Sequence, residues 1–208
     1  MRLKELESHL STLDCAFPAP NIALEQYPTS AHIASRVLFT AHSTFDDIEG
    51  RTVLDLGCGT GMLSVGAGLM DPELVLGLDC DQDAIAIAKR NADEEEVMAD
   101  FALCKVPHIP LNSKFDTVIM NPPFGTRTAG ADWMFLETAL KSASVVYSLH
   151  KTSTRSYLLE KAKRQFGCSA EVIAELKFDI PKAYKFHKKD SLDIQVDLLR
   201  FELPDSAE

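Results

Sequence analysis

"VLDLGCGTGMLSVGAG", residues 53–68, joins a short apolar run to three glycines and then to a segment with helical spacing. The run at 52–56 predicts a buried strand. Gly57, Gly59 and Gly61 predict a tight loop where the backbone can approach a bound molecule, because glycine has no Cβ in the way. The spacing G-x-G-x-G differs from the dinucleotide pattern G-x-G-x-x-G, whose third glycine serves close helix–strand packing. Twenty-two residues past Gly57, Asp79 ends a second apolar strand, LVLGLD (74–79). An acid at that place can accept hydrogen bonds from both ribose hydroxyls of a nucleoside. Strand, glycine loop, helix, strand and acid therefore predict a nucleoside-cofactor site. Asp55, just ahead of the loop, would repel a pyrophosphate but suits a cation, which points to S-adenosylmethionine.

Outward from this unit the pattern alternates. Strands are predicted near 52–56, 74–79, 99–105, 115–120 and 144–149, with helices near 61–70, 82–96, 133–142 and 152–166. Apolar strands alternating with helices predict a parallel α/β sheet with helices on both faces. Upstream, Leu3, Leu6, Leu10 and Leu13 mark an amphipathic helix over 2–13, and Thr29 or Ser30 can cap a second helix reaching about His42. Downstream, extended segments at about 168–177 and 192–202 have no helix pattern between them. They predict an antiparallel hairpin at one edge of the sheet.

Hydrophobic residues make up 46% of the 208, enough for a packed core. The charged, amphipathic N-terminus MRLKELESHL is unlike a signal segment, and no apolar run has the length of a membrane span; a soluble intracellular protein is expected. Five scattered cysteines without a C-x-x-C predict neither a disulfide framework nor a metal site. The net charge of −10 is unevenly placed: residues 1–140 hold 9 Lys/Arg against 21 Asp/Glu, whereas 141–200 hold 12 against 7. An acidic body with a basic C-terminal third can meet nucleic acid on one face, although solvated lysines would look the same.

The second informative stretch is "VIMNPPFGTR", 118–127. Its apolar start reads as the fourth strand, so Asn121 falls at a carboxyl end, where open α/β sheets bind ligands. Alone, N-P-P-F is also what a strand-ending turn looks like, since proline cannot donate to the ladder. Beside the glycine loop it reads as a clamp for an exocyclic amine. The Asn121 amide oxygen and the Pro122 carbonyl can each accept one N–H, Pro122 and Pro123 stiffen the turn, and Phe124 offers a face on which a base can stack. Accepting both hydrogens pulls the nitrogen lone pair out of conjugation and towards the methyl donor, so catalysis is positioning rather than strong-base chemistry.

A [DNS]-P-P-[FYW] sequence after a G-x-G loop resembles the methyltransferases of adenine N6, cytosine N4 and glutamine. Together with LEQYPT (24–29), DLGCGTGMLS (55–64), VYSLHK (146–151) and YKFHKK (184–189), the chain to about Phe201 resembles the methyltransferase-like protein 5 family, which makes N6-methyladenosine in the RNA of the small ribosomal subunit (18S). The resemblance implies a Rossmann-like class I S-adenosylmethionine-dependent methyltransferase fold with a seven-stranded sheet in the order 3-2-1-4-5-7-6. It implies one domain, with 1–45 as a helical extension contributing to the cofactor site and 46–203 as the catalytic core. Gln26, Thr29, Gly57, Thr60 and Met62 would then contact the cofactor, with Asp79 on the ribose and Asn121, Pro122, Pro123 and Phe124 on the target base. Gly59 of the loop, Asp55, Lys105, Val106 and Asn121 complete the expected cofactor set. The resemblance further implies a small zinc-binding activator paired along the edge strand near 97–105, and work in the nucleus, including the nucleolus, and the cytoplasm.

The chain departs from the family pattern in one place. Where the family has an aspartate to accept from the cofactor adenine, this chain has Lys105 in FALCKV. A lysine only donates, so the contact is lost or comes from the backbone of Lys105 and Val106. For RNA, the segment KAYKFHKKD (182–190) combines Lys182, Lys185, Lys188 and Lys189 with Tyr184, Phe186 and His187. Cations interleaved with rings suit single-stranded RNA, although a solvated hairpin loop is the plain alternative. Lys151 and Arg155 could extend that face, and His150 reads as a core residue. Two other functions fit the same motifs: a protein glutamine methyltransferase, and a catalytically silent RNA-binding scaffold.

Overall fold

The computed structural model describes residues 1–17, 20–110, 113–181 and 191–204. Two helices come first, α1 (Leu3–Leu10) and α2 (Ala31–Ser43). Ser30 starts α2 by accepting the N–H of Ile33 on its hydroxyl, as an N-cap does. The alternating part follows as β1 (Thr52–Leu56), α3 (Met62–Gly68), β2 (Leu74–Asp79), α4 (Gln82–Glu94), β3 (Asp100–Leu103), β4 (Phe115–Met120), α5 (Ala131–Ser142), β5 (Ala143–Lys151) and α6 (Arg155–Phe166). The chain closes with β6 (Ser169–Pro181) and β7 (Ser191–Glu202). A 3-10 turn at Thr152–Thr154 occupies the start of the helix expected from 152, and β3 is shorter than expected.

The seven strands lie in the order β3-β2-β1-β4-β5-β7-β6, as the resemblance implied. β1 to β5 pair in parallel, and β7 runs antiparallel to both β5 and β6. The order reverses between β1 and β4, which are neighbours in the sheet yet separated in sequence by β2 and β3. A crevice opens at the carboxyl ends of such a pair.

Side chains alternate across the sheet with the two-residue period of a strand. Val53, Val75, Phe101, Ile119 and Tyr147 face one way, into a core shared with α1 to α4. Leu54, Leu56, Val118, Met120, Val146 and Phe201 face the other, against α5 and α6. Gly61 (φ +87°) begins α3 where an added Cβ would lie 2.9 Å from that of Ala88, so glycine is needed both for the left-handed backbone and for the approach of α4.

The basic C-terminal third is less available than its charge count suggests. Arg200 on β7 is 8% exposed, lies 4.4 Å over the Phe45 ring, and pairs with Asp47 and Glu202. No helix among the described residues is long and apolar enough to cross a membrane.

Candidate active site

A cavity of about 400 Å³ lies at the carboxyl ends of β1, β2 and β4, within the size range of small-molecule sites. Most of the residues singled out from sequence meet there. Gln26, Thr29, Asp55, Gly57, Gly59, Thr60, Met62, Asp79, Lys105, Val106, Asn121 and Pro123 all line it, though they come from segments as far apart as 26 and 123.

The glycine loop is held by β2 on one side and by α4 on the other. The Gly59 N–H donates to Asp79 Oδ2 at 2.8 Å, and φ +52° at Gly59 turns that N–H towards the neighbouring strand. Asp79 Oδ1 accepts the N–H of Asp81 at 2.9 Å. Asn91 of α4, fully buried, donates to the Thr60 and Asp14 carbonyls and accepts the Asp14 N–H. Sequence reasoning passed over Asn91 because a polar residue on a helix looks solvated; only its burial shows the role.

Two carboxylates give the cavity its negative character. Asp55 is 1% exposed; its Oδ2 accepts the Ser64 hydroxyl at 2.6 Å, while its Oδ1 is buried with no partner. Burial raises the Asp55 carboxyl to about 7; Ser64 opposes that shift and the nearby charge of Asp79 adds to it. Asp79 is also raised by burial, against the N–H groups of Asp81, Gly59 and Cys80 that hold it ionised. A buried carboxylate oxygen without a donor is costly to leave unpaired, and a cationic ligand group would satisfy it.

The second orphan is Asn121. Its Nδ2 donates to the Thr29 hydroxyl at 2.9 Å, which leaves its Oδ1 buried and without a partner. An acceptor at the end of β4, oriented from its other end and otherwise unsatisfied, suits an N–H donor. The residues present therefore fit both groups implied by the sequence: a cation at Asp55 and an amine at Asn121.

Several expectations change. Phe124 is not an open stacking face: it is 7% exposed, and its ring meets Phe178 edge-on at 5.8 Å. The apolar ring is driven into the core, and Pro122 is buried with it. Arg155 does not present a free guanidinium for RNA. It makes a two-point pair with Asp197 at 2.7 Å and a bond to Glu175, because Asp197 is fully buried and needs a partner. The Gln26 amide is occupied at both ends, accepting the Asn21 N–H and donating to Asp81 Oδ2 at 2.6 Å, so it braces the cavity wall. Lys151 ends β5 at the same, carboxyl end of the parallel strands as Asn121. Lys182, Lys185, His187, Lys188 and Lys189 lie outside the described residues.

His150 is a buried core residue as expected. Its Nε2 meets the Ser148 hydroxyl at 2.7 Å, and burial lowers it to about 3, so it is neutral. The Lys105 carbonyl accepts the His108 N–H, which closes the turn after β3 and leaves the side chain exposed. No cluster of metal ligands occurs among the described residues.

Comparison with known proteins bears on the family and the fold. The methyltransferase small domain family matches residues 30–176. The rRNA N(6)-adenosine-methyltransferase METTL5 of Danio rerio is 54% identical over 206 residues, covering 97% of this chain and 99% of the relative. Its counterpart in Drosophila melanogaster is 47% identical over 210 residues, covering 98% and 97%. A crystal structure from Pyrococcus horikoshii, assigned as an RNA methyltransferase, superposes with a TM-score of 0.85 at 37% identity, covering 98% of each chain.

Proposed function

This chain belongs to the rRNA N(6)-adenosine-methyltransferase family, built on the methyltransferase small domain, and from that premise we propose that it methylates N6 of an adenosine in small-subunit (18S) ribosomal RNA, in a heterodimer with a small zinc-binding activator. It is an RNA adenine-N6 methyltransferase by family. The observation that carries the reaction is the Asn121 amide, fixed by Thr29 with its Oδ1 buried and unpaired at the cavity.

S-adenosylmethionine, when bound, supplies an electrophilic methyl group on a positively charged sulfur. The residues of the chain do the rest by holding and orienting. Asp55 offers its unpaired oxygen to a cationic group, and Asp79, already fixed by Gly59 and Asp81, accepts from ribose hydroxyls through its remaining lone pairs. Asn121 Oδ1 accepts one N6 hydrogen and the Pro122 carbonyl the other. The nitrogen then turns its lone pair towards the methyl group. Neither acceptor titrates, so the rate enhancement comes from orientation and fixed dipoles.

The activator reading rests on the free edge of the sheet. Among the described residues β3 pairs only with β2, while Leu103 on it is 60% exposed and Met98 just before it 93% exposed. An apolar open edge invites aggregation unless another strand covers it. RNA would be gripped by 182–190 together with Lys151, and the protein would act in the nucleus, including the nucleolus, and the cytoplasm.

Incubation with methyl-labelled donor, followed by separation of RNA from protein, tests the reaction. Label is expected in RNA as N6-methyladenosine, and Asn121→Ala is expected to abolish it while cofactor affinity stays within about threefold. Label in protein glutamine alone would overturn the assignment, and absence of both label and cofactor binding would favour a silent scaffold.

A further inference from the structure

Glu25 stands in LEQYPT beside Gln26 and lines the cavity, yet neither the cofactor nor the base chemistry calls for it. It is 7% exposed and adopts φ +52°, a backbone region that residues with side chains seldom occupy. Such a conformation persists where the surroundings hold it and clusters at functional sites. Here the holding contacts are plain. Glu25 Oε2 accepts the main-chain N–H of Phe124 at 3.0 Å, and Oε1 accepts that of Arg127 at 2.7 Å. These two N–H groups flank Gly125 (φ +71°) in the turn that follows β4.

The same short segment touches the turn again. Thr29 accepts from Asn121 Nδ2 at 2.9 Å. On the far side of the cavity, Gln26 reaches Asp81 at 2.6 Å and Asn21 at 2.7 Å. Residues 21–29 thus form a strap whose one side bears on the cofactor cavity and whose other side grips the turn 121–127. A buried carboxylate accepting two N–H groups makes charge-assisted bonds, stronger than neutral ones.

We infer that Glu25 is a positioning residue for methyl transfer: its carboxylate fixes the 121–127 turn so that the Asn121 and Pro122 oxygens converge on one amine. The inference rests on the proposed N6 chemistry and adds the element that couples the cofactor side of the cavity to the base side. Its basis is geometric. The Asn121 oxygen can receive an N6 hydrogen only if the turn holds its place, and the turn is pinned by main-chain bonds to a residue 99 and 102 positions upstream.

Glu25→Gln and Glu25→Ala, each prepared as the full complex, test this with unmethylated small-subunit ribosomal RNA. Gln keeps one acceptor but presents an N–H₂ to the second donor; Ala removes both acceptors. With the turn loosened by a fraction of an ångström to an ångström, kcat is expected to fall about 10-fold in Glu25→Gln and about 100-fold in Glu25→Ala. The Kd for S-adenosylhomocysteine is expected to stay within about threefold in both, a split that general loss of structure would not produce. Wild-type kcat in Glu25→Gln, or cofactor affinity falling in step with kcat, would overturn the inference. Should Glu25→Ala fail to fold, Glu25→Gln decides. If the wild-type complex makes no N6-methyladenosine, it is the functional assignment that fails, and the Glu25 comparison is then made on no activity at all; if it does and Glu25→Gln matches it, this inference fails alone.

Discussion

Replacing Asp55 with asparagine is expected to stabilise the cofactor-free protein while destroying its affinity for the methyl donor. The carboxyl is raised from 3.8 to about 7, mainly by burial. Between those pH values the folded protein keeps a proton that the unfolded chain releases. Stability therefore falls as pH rises through the window, and the full penalty is present above pH 7. At about 1.4 kcal/mol per pH unit the shift corresponds to roughly 4 kcal/mol, of which about 2.5 kcal/mol develops between pH 5 and 8. Asparagine cannot ionise and can still accept the Ser64 hydroxyl, so this component vanishes in the variant. Apart from Asp79, whose charge couples to Asp55, other titrating groups act alike in both proteins, and the difference between the two stability–pH profiles reads Asp55 together with that coupling. Urea unfolding followed through Trp133, the single tryptophan and 8% exposed, reads it directly. The stability of Asp55→Asn relative to wild type is expected to grow by about 2.5 kcal/mol from pH 5 to 8. Wild-type affinity for S-adenosylhomocysteine is expected to weaken about tenfold per unit below pH 7, as the carboxyl must first lose its proton. Parallel stability profiles for the two proteins would refute the reasoning, because the unpaired Asp55 oxygen would then carry no charge penalty.

Arg155→Ala removes the charged partner of the fully buried Asp197, leaving it the Thr152 hydroxyl, and is expected to lower the melting midpoint on the order of 5 °C, with Arg155→Lys recovering part of it, while RNA affinity of the folded protein is unchanged; an RNA-affinity loss without destabilisation would restore Arg155 to the RNA face. Met98→Asp combined with Leu103→Asp is expected to leave the isolated chain more soluble and to abolish co-purification with a zinc-binding partner. Retained capture would place the partner elsewhere.

The sheet was legible in the sequence because its signal is local. Apolar runs of strand length, separated by helical periodicity, mark β1, β2 and β4 with the bounds seen in the structure. The hairpin of β6 and β7 was legible for a similar reason, since a helix pattern is missing between two long extended runs. Asp55, Asp79 and Asn121 could be named as ligand groups because a strand's carboxyl end can be located from its apolar run.

Burial and partnership could not be read the same way. Phe124 follows two prolines and looks exposed, yet the free energy of burying its ring sets it against Phe178, which lies 54 positions away in sequence and was invisible to local patterning. Arg155 and Arg200 counted as free cations until the fold brought Asp197, Asp47 and Glu202 to them. Asn91 carried no signal, and Glu25 none beyond its place in LEQYPT, because their hydrogen-bond partners are backbone groups that any residue possesses.

By itself the sequence determined the order of strands and helices, the place of the glycine loop and the chemical types gathered at the carboxyl ends. These follow from periodicity and from residue chemistry, both of which are written along the chain. Only the tertiary structure decided which of those groups are left unsatisfied. Ser64 takes one oxygen of Asp55 and Thr29 takes the nitrogen of Asn121, so the remaining oxygen of each is left buried and unpaired in a residue that lines the cavity. A hydrogen bond is a matter of distance in space, and the groups that complete these came from 9 and 92 residues away.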